Sequence, residues 1–121
     1  PDRPVIGIIG DGSAMMTIQG LWTAANDDIP CVFVICNNGM YRVLKVNFNI
    51  YQTEVLSEPE PAGENLLYSN FDTPFDISEI AKGMGIQSER VTDPDEIGPA
   101  IQRALSANKP SVIDIVIDGS L

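Results

Sequence analysis

Two short stretches hold residue types that could do chemistry together. "GDGS", residues 10–13, follows the apolar run "PVIGII", and "NNGMY", residues 37–41, follows "CVFVIC". A glycine turn after a strand ordinarily cradles phosphate with backbone N–H groups, yet Asp11 puts a carboxylate into that turn. Such a group repels a bare phosphate but suits one that arrives with a divalent cation. Mg²⁺ takes six oxygens at about 2.1 Å, commonly one or two carboxylates with substrate phosphates and water. Asp11 supplies a carboxylate, Asn38 an amide oxygen, and a loop carbonyl near Met40 a third protein ligand. Gly12, the Ser13 hydroxyl and the first amides of the following helix face the phosphate. Gly-Asp-Gly alone is a good tight turn, and so is Asn-Asn-Gly; the conjunction is what points to an ion.

The elements around these turns determine whether they meet. "PVIGII" (4–9) is apolar without alternation, as in a parallel strand covered on both faces. Ser13 is a suitable N-cap for a helix over 14–26, with Ile18, Leu21, Trp22 and Ala25 as its core-facing stripe. "NDDIP" ends that helix, and 31–36 is a second buried strand. A helix of ~14 residues runs ~21 Å and a strand of six ~20 Å, so the crossover returns to the edge it left. Asp11 and Asn38, 27 residues apart in the chain, are thereby expected on neighbouring strands about 5 Å apart. That edge, outside the carboxyl ends of parallel strands, is where ligands bind in such sheets.

Farther along, Asp76 and Glu79 fit a capping box opening a short helix that closes at Gly83 or Gly85. Residues 86–91 suit a third strand. "DPDE" (93–96) reads as an N-cap, a first-turn proline and acids, opening a helix to about Asn108 in which Pro99 predicts a kink or a later start. "SVIDIVI" (111–117) is a final strand. Strands alternating with helices give an α/β fold, a mainly parallel sheet with helices on both faces. Residues 46–75 carry three prolines and no sustained period. They are expected to form a long, partly ordered excursion, its aromatics Phe48, Tyr51, Tyr68, Phe71 and Phe75 arguing against full disorder.

Composition removes other chemistries. There is no histidine among the 121 residues, which excludes Ser-His-Asp and Cys-His catalysis within the chain and most zinc sites. A net charge of −10 argues against a nucleic-acid footprint, and no apolar run approaches a membrane span. Cys31 and Cys36, five apart, point to opposite faces of one strand and read as buried, reduced thiols of a cytoplasmic protein. A dinucleotide fingerprint read from Gly10 places Met15 where a glycine or alanine is needed, and the P-loop Gly-Lys-Ser/Thr is missing. A flavodoxin-like or other nucleotide-binding domain is the weaker alternative. A start at Pro1 with a strand almost at once reads as a piece of a longer chain, one partial domain over 1–121.

With "GDGS" and "NNGMY" in place, residues 1–45 resemble the C-terminal cofactor domain of the benzoylformate decarboxylase and acetolactate synthase group of thiamine diphosphate enzymes. A looser likeness runs from "FDISEIAKGMGIQ" through "PSVIDIVID". The resemblance implies a thiamine diphosphate-binding fold truncated on its N-terminal side. It implies Asp11 and Asn38 as side-chain Mg²⁺ ligands, Met40 as a ligand through its backbone oxygen, and Gly10, Gly12, Ser13 and Tyr41 as cofactor-binding residues. Leu44 and Asn47 become pocket candidates on the helix after Tyr41. The implied reaction makes or breaks a C–C bond beside the carbonyl of a 2-oxo acid, by decarboxylation or carboligation, with the cofactor as electron sink. It also implies a pyrimidine-binding domain from a neighbouring subunit of a homo-oligomer, without which this chain is no complete catalyst. A non-catalytic binding subunit completed by a separately encoded chain is the alternative.

Overall fold

A computed structural model describes residues 3–59 and 62–120, apart from the Glu64 side chain. Four strands, β1 (Val5–Gly10), β2 (Cys31–Asn37), β3 (Gln87–Val91) and β4 (Ser111–Val116), form one sheet in the order β1-β2-β4-β3. Every pairing is parallel. Around it lie α1 (Asp11–Met16), α2 (Gly20–Asn26), α3 (Arg42–Ile50), α4 (Ile77–Gly83) and α5 (Pro94–Ala107).

The two faces of the sheet make two cores. Ile35 and Val112 pack with Ala14, Leu21, Ala24, Ile77, Ala81 and Ile86, so α1, α2 and α4 cover one face. Val32, Val34, Val91, Ile113 and Ile115 pack with Ala100 and Ala104 of α5 on the other. Alternate residues of β2 and β4 thus enter opposite cores, which is why both strands read as unbroken apolar runs. This is the expected α/β architecture with helices on both faces.

Several local expectations need correction. β1 is an edge strand rather than one covered on both faces: Val5, Ile6 and Ile8 are exposed, Ile8 by 75%, with α5 packed chiefly on β4, β3 and β2. The first helix begins at Asp11, with Gly10 in the extended N-cap position, so Ser13 lies inside the first turn and caps nothing. It also breaks after Met16 and resumes at Gly20. That break turns the stripe, so that Leu21 and Ala24 enter the core while Trp22 stands exposed. Cys31 and Cys36 are free thiols but only half-buried, and partial burial raises the pKa of Cys31.

Of the excursion, the part to Val55 is helical: α3 runs on into a π-helical stretch, Tyr51–Val55. Beyond it only a 3₁₀ turn, Gly63–Asn65, is regular; residues 60 and 61 lie outside the described residues. The Phe71 and Phe75 rings meet at a tilt with centroids 4.9 Å apart, whereas Tyr51 and Tyr68 are exposed.

Both N-caps form, though the Asp76–Glu79 pair makes only half of a capping box, the Glu79 carboxylate taking Lys82 instead. The Asp76 side chain accepts from the Glu79 N–H at 3.0 Å, and the Asp93 side chain accepts from that of Asp95 at 3.0 Å. Gly85 is left-handed beyond α4, and Asn108 takes that conformation at the end of α5. α5 passes through Pro99 as one element. The residue before it is Gly98, and without a Cβ the usual clash between a proline ring and its predecessor is relieved.

Candidate functional site

The parallel register pairs Gly10 with Cys36, so the two turns leave adjacent strands at the same level of the carboxyl edge. Asp11 then joins them directly. Its carboxylate is 2% exposed. One oxygen accepts the Gly12 N–H at 2.8 Å and the other the Gly39 N–H at 2.8 Å. The first strand's turn is therefore tied to the second's through a single side chain.

The second turn is shaped by its own residues. Gly39 has φ +68°, a conformation open to glycine at little cost. The Asn38 side-chain oxygen accepts the Met40 N–H at 3.2 Å, an Asx turn that holds this oxygen at the mouth of the strand. Its neighbour Asn37 does different work. Buried, it donates to the Phe75 carbonyl and to Asp114, each at 2.9 Å. Asp114, fully buried, also receives Arg90 at 3.3 Å, and Arg90 reaches Asp76 at 3.2 Å. One asparagine of the pair braces the sheet end and the other faces the opening.

Gly12 is required for space. A Cβ there would lie 2.8 Å from Tyr41 Cδ1 and 3.1 Å from Phe71 Cζ. The Tyr41 and Phe71 rings meet edge to face, 4.8 Å between centroids. Residues 69–71 also dock on the turn through the backbone: Tyr41 N–H donates to the Ser69 carbonyl at 2.7 Å, and Phe71 N–H to the Gly39 carbonyl at 2.8 Å.

These elements enclose a cleft of about 180 Å³ lined by Gly10, Asp11, Gly12, Ser13, Asn38, Met40 and Tyr41, together with Cys36, Arg42, Val43 and Ile117. All seven residues picked from the two motifs gather there. Leu44 and Asn47 sit on α3 outside that lining, exposed. The sequence reading missed Arg42, Val43 and Ile117, and took Cys36 only as a buried thiol. The first two directly follow "NNGMY" and were within reach, whereas Ile117 arrives only because β4 pairs with β2. A larger hollow of about 480 Å³ between Arg3, Val5, Pro30 and Lys109 lies at the amino ends of the strands. It carries none of this chemistry.

The donor set fits a hard divalent cation. No cationic side chain pairs with Asp11 among the described residues, and a buried carboxylate held by two N–H donors alone is expensive until a cation joins it. No group of three His, Cys, Asp or Glu side chains forms a metal cluster among the described residues. One carboxylate with amide and carbonyl oxygens is the set that leaves room for phosphate oxygens and water, as Mg²⁺ requires. Gly12 and Ser13 line the same cleft beside Asp11.

Comparison with known proteins follows this geometry. The family model described as thiamine pyrophosphate enzyme, C-terminal TPP binding domain, matches residues 1–115. Benzoylformate decarboxylase of Pseudomonas aeruginosa is 37% identical over 116 residues, covering 95% of this chain and 20% of that protein. The acetolactate synthase large subunit of Corynebacterium glutamicum is 32% identical over 118 residues, 97% of this chain and 18% of that one. Among solved structures, the thiamine diphosphate-dependent 4-hydroxybenzoylformate decarboxylase of Rhodococcus jostii RHA1 superposes with a TM-score of 0.80 at 33% identity. It covers 98% of this chain and 20% of its own length. The chain spans about a fifth of the length of the curated relatives it matches.

Proposed function

This chain belongs to the thiamine pyrophosphate enzymes, as their C-terminal TPP binding domain, and from that premise we propose that it holds the diphosphate of thiamine diphosphate through Mg²⁺ for an enzyme acting on 2-oxo acids. The observation that carries the reading is the buried Asp11 carboxylate, bonded to both turns and paired with no cation among the described residues. In this reading Asp11, the Asn38 side-chain oxygen and the Met40 carbonyl hold the cation. Gly10, Gly12, Ser13 and Tyr41 line the place of the diphosphate.

The bound cofactor supplies an electron sink for making or breaking a C–C bond beside a carbonyl. This chain's residues bind and orient it. Asp11 offsets one of the cation's two charges, leaving the other for the diphosphate, while its two accepted N–H bonds keep both oxygens in place. Gly12 lets the Tyr41 ring close over the turn, and the Tyr41–Phe71 contact keeps bulk water from that side. The substrate class rests on the names of the relatives, a benzoylformate decarboxylase and an acetolactate synthase. We assign the rest of the catalyst, a pyrimidine-binding domain from a neighbouring subunit of a homo-oligomer, to sequence beyond this chain, so the chain alone is expected to be inactive. No helix among the described residues is long and apolar enough to cross a membrane.

The test is a thermal-shift titration of the full-length protein with thiamine diphosphate, with Mg²⁺ and again with chelator. Binding to the folded state alone adds about 2.7 kcal/mol at a hundredfold excess over Kd. A shift that needs Mg²⁺ supports the assignment, and one that survives the chelator refutes it.

A further inference from the structure

Residues 117–120 continue past β4 beside the cleft, whose lining Ile117 joins, and they touch the second turn at Ile117 and Gly119 and the start of α3 at Ser120. The Ile117 N–H donates to the Asn37 carbonyl at 2.9 Å, prolonging the β2–β4 ladder by one bond. Gly119 lies against the turn so closely that a Cβ would sit 2.7 Å from the Asn38 carbonyl oxygen and 2.6 Å from Met40 Cε. Its φ lies outside the left-handed range, unlike those of Gly39 and Gly85, so the demand at this position is for space. Arg42 Nε donates to the Ser120 carbonyl at 3.1 Å. Ser120 in turn gives its N–H and its hydroxyl to Asp118, at 2.9 and 2.8 Å. Those two bonds, followed by the charge of Arg42, hold the Asp118 carboxyl below its ordinary range.

We infer that residues 117–120, latched by Arg42, are a positioning element that sets where Asn38 and Met40 present their oxygens, so that cation affinity is controlled by a segment supplying no ligand. The inference rests on the proposed reading that these two residues hold the cation. Its physical basis is the identity of the atoms in contact. A side chain at Gly119 meets the Asn38 carbonyl oxygen as well as the Met40 side chain, and relief at that backbone atom displaces the turn that carries both ligands or the segment that braces it. Side chains that orient metal ligands from behind typically change metal affinity by about 10–100-fold when mutated.

The experiment titrates Mg²⁺ into the full-length protein at saturating thiamine diphosphate, reading the cation Kd, alongside the unfolding midpoint without ligands. Gly119→Ala is expected to raise the Kd about tenfold or more, together with a lower ligand-free midpoint from the same close approach. Arg42→Ala is expected to raise it in the same direction, and Arg42→Lys, which retains a donor for the Ser120 carbonyl, to restore much of the loss. An unchanged Kd in Gly119→Ala overturns the inference, whatever the midpoint does. Should Gly119→Ala fail to fold, Arg42→Ala decides on the same criterion. Asp11→Asn separates the two readings. If it loses the cation while Gly119→Ala binds normally, only the positioning role fails. If Asp11→Asn binds like wild type, the cation assignment itself has failed.

Discussion

Asp11→Asn is the most informative substitution, because it preserves shape and removes only charge. In the wild type two backbone N–H groups, from Gly12 and Gly39, each donate to one carboxylate oxygen at 2.8 Å, and the group is 2% exposed. The asparagine keeps one acceptor and turns its amide toward the other N–H. That forfeits one charge-assisted bond of about 1.5–3 kcal/mol but removes an uncompensated buried charge, a change of opposite sign. Without ligands, the variant is therefore expected within about 2 kcal/mol of wild type. With the cation the balance changes. Depriving a buried charge of its partner costs about 3–5 kcal/mol, or two to three and a half decades of cation affinity at about 1.4 kcal/mol per decade. At a concentration giving wild type about 2.7 kcal/mol of added stability, a variant with a hundredfold weaker Kd gains only about 0.4 kcal/mol. Chemical denaturation of both proteins, with and without Mg²⁺ and thiamine diphosphate, measures that difference. Equal ligand-linked stabilisation in the two would refute the role given to Asp11.

Other consequences are open to direct test. Gly12→Ala forces a methyl against Tyr41 and Phe71 and should destabilise by about 1–3 kcal/mol, the usual penalty of overpacking; urea midpoints should show a smaller loss when Tyr41→Leu is already present. Asp114→Ala strands Arg90 and the Asn37 amide at the sheet end. Arg90 keeps Asp76 as a partner and is one-third exposed, so a loss near the lower end, about 3 kcal/mol, is expected in denaturant titrations. The Asp76 carboxyl is held below its ordinary range by the Glu79 N–H, the Ser78 hydroxyl and Arg90. A depressed carboxyl stabilises the fold above its unfolded pKa of about 3.9 and loses that contribution as pH falls through the folded value. The stability difference between wild type and Asp76→Ala, about 1 kcal/mol for an N-cap, should therefore be full at pH 6 and vanish in strong acid.

The parts of this protein legible in its sequence are those held by neighbours in the chain. The caps at Asp76 and Asp93 and the left-handed Asn108 or Gly85 depend on bonds spanning only a few residues, so residue type suffices to place them. The two glycine turns are legible for the same reason. Their meeting is what a crossover between neighbouring parallel strands predicts, and it holds although the connecting helix is broken after Met16, because the β1–β2 register sets Gly10 opposite Cys36. Burial was legible only where it did not depend on strand order. "PVIGII" and "CVFVIC" look alike, yet one is an exposed edge and the other central, a difference set by pairings with β4 more than seventy residues away. The same pairing brings Ile117 to the cleft and assigns Asn37 to the Asp114–Arg90 network while Asn38 faces the opening, and the docking of residues 69–71 on Tyr41 and Gly39 is another contact between distant segments. Local chemistry chose the residues able to hold an ion. Contacts between distant segments decided which of them face the cleft, because strand order and docking are settled by burial and hydrogen bonding across the whole sheet.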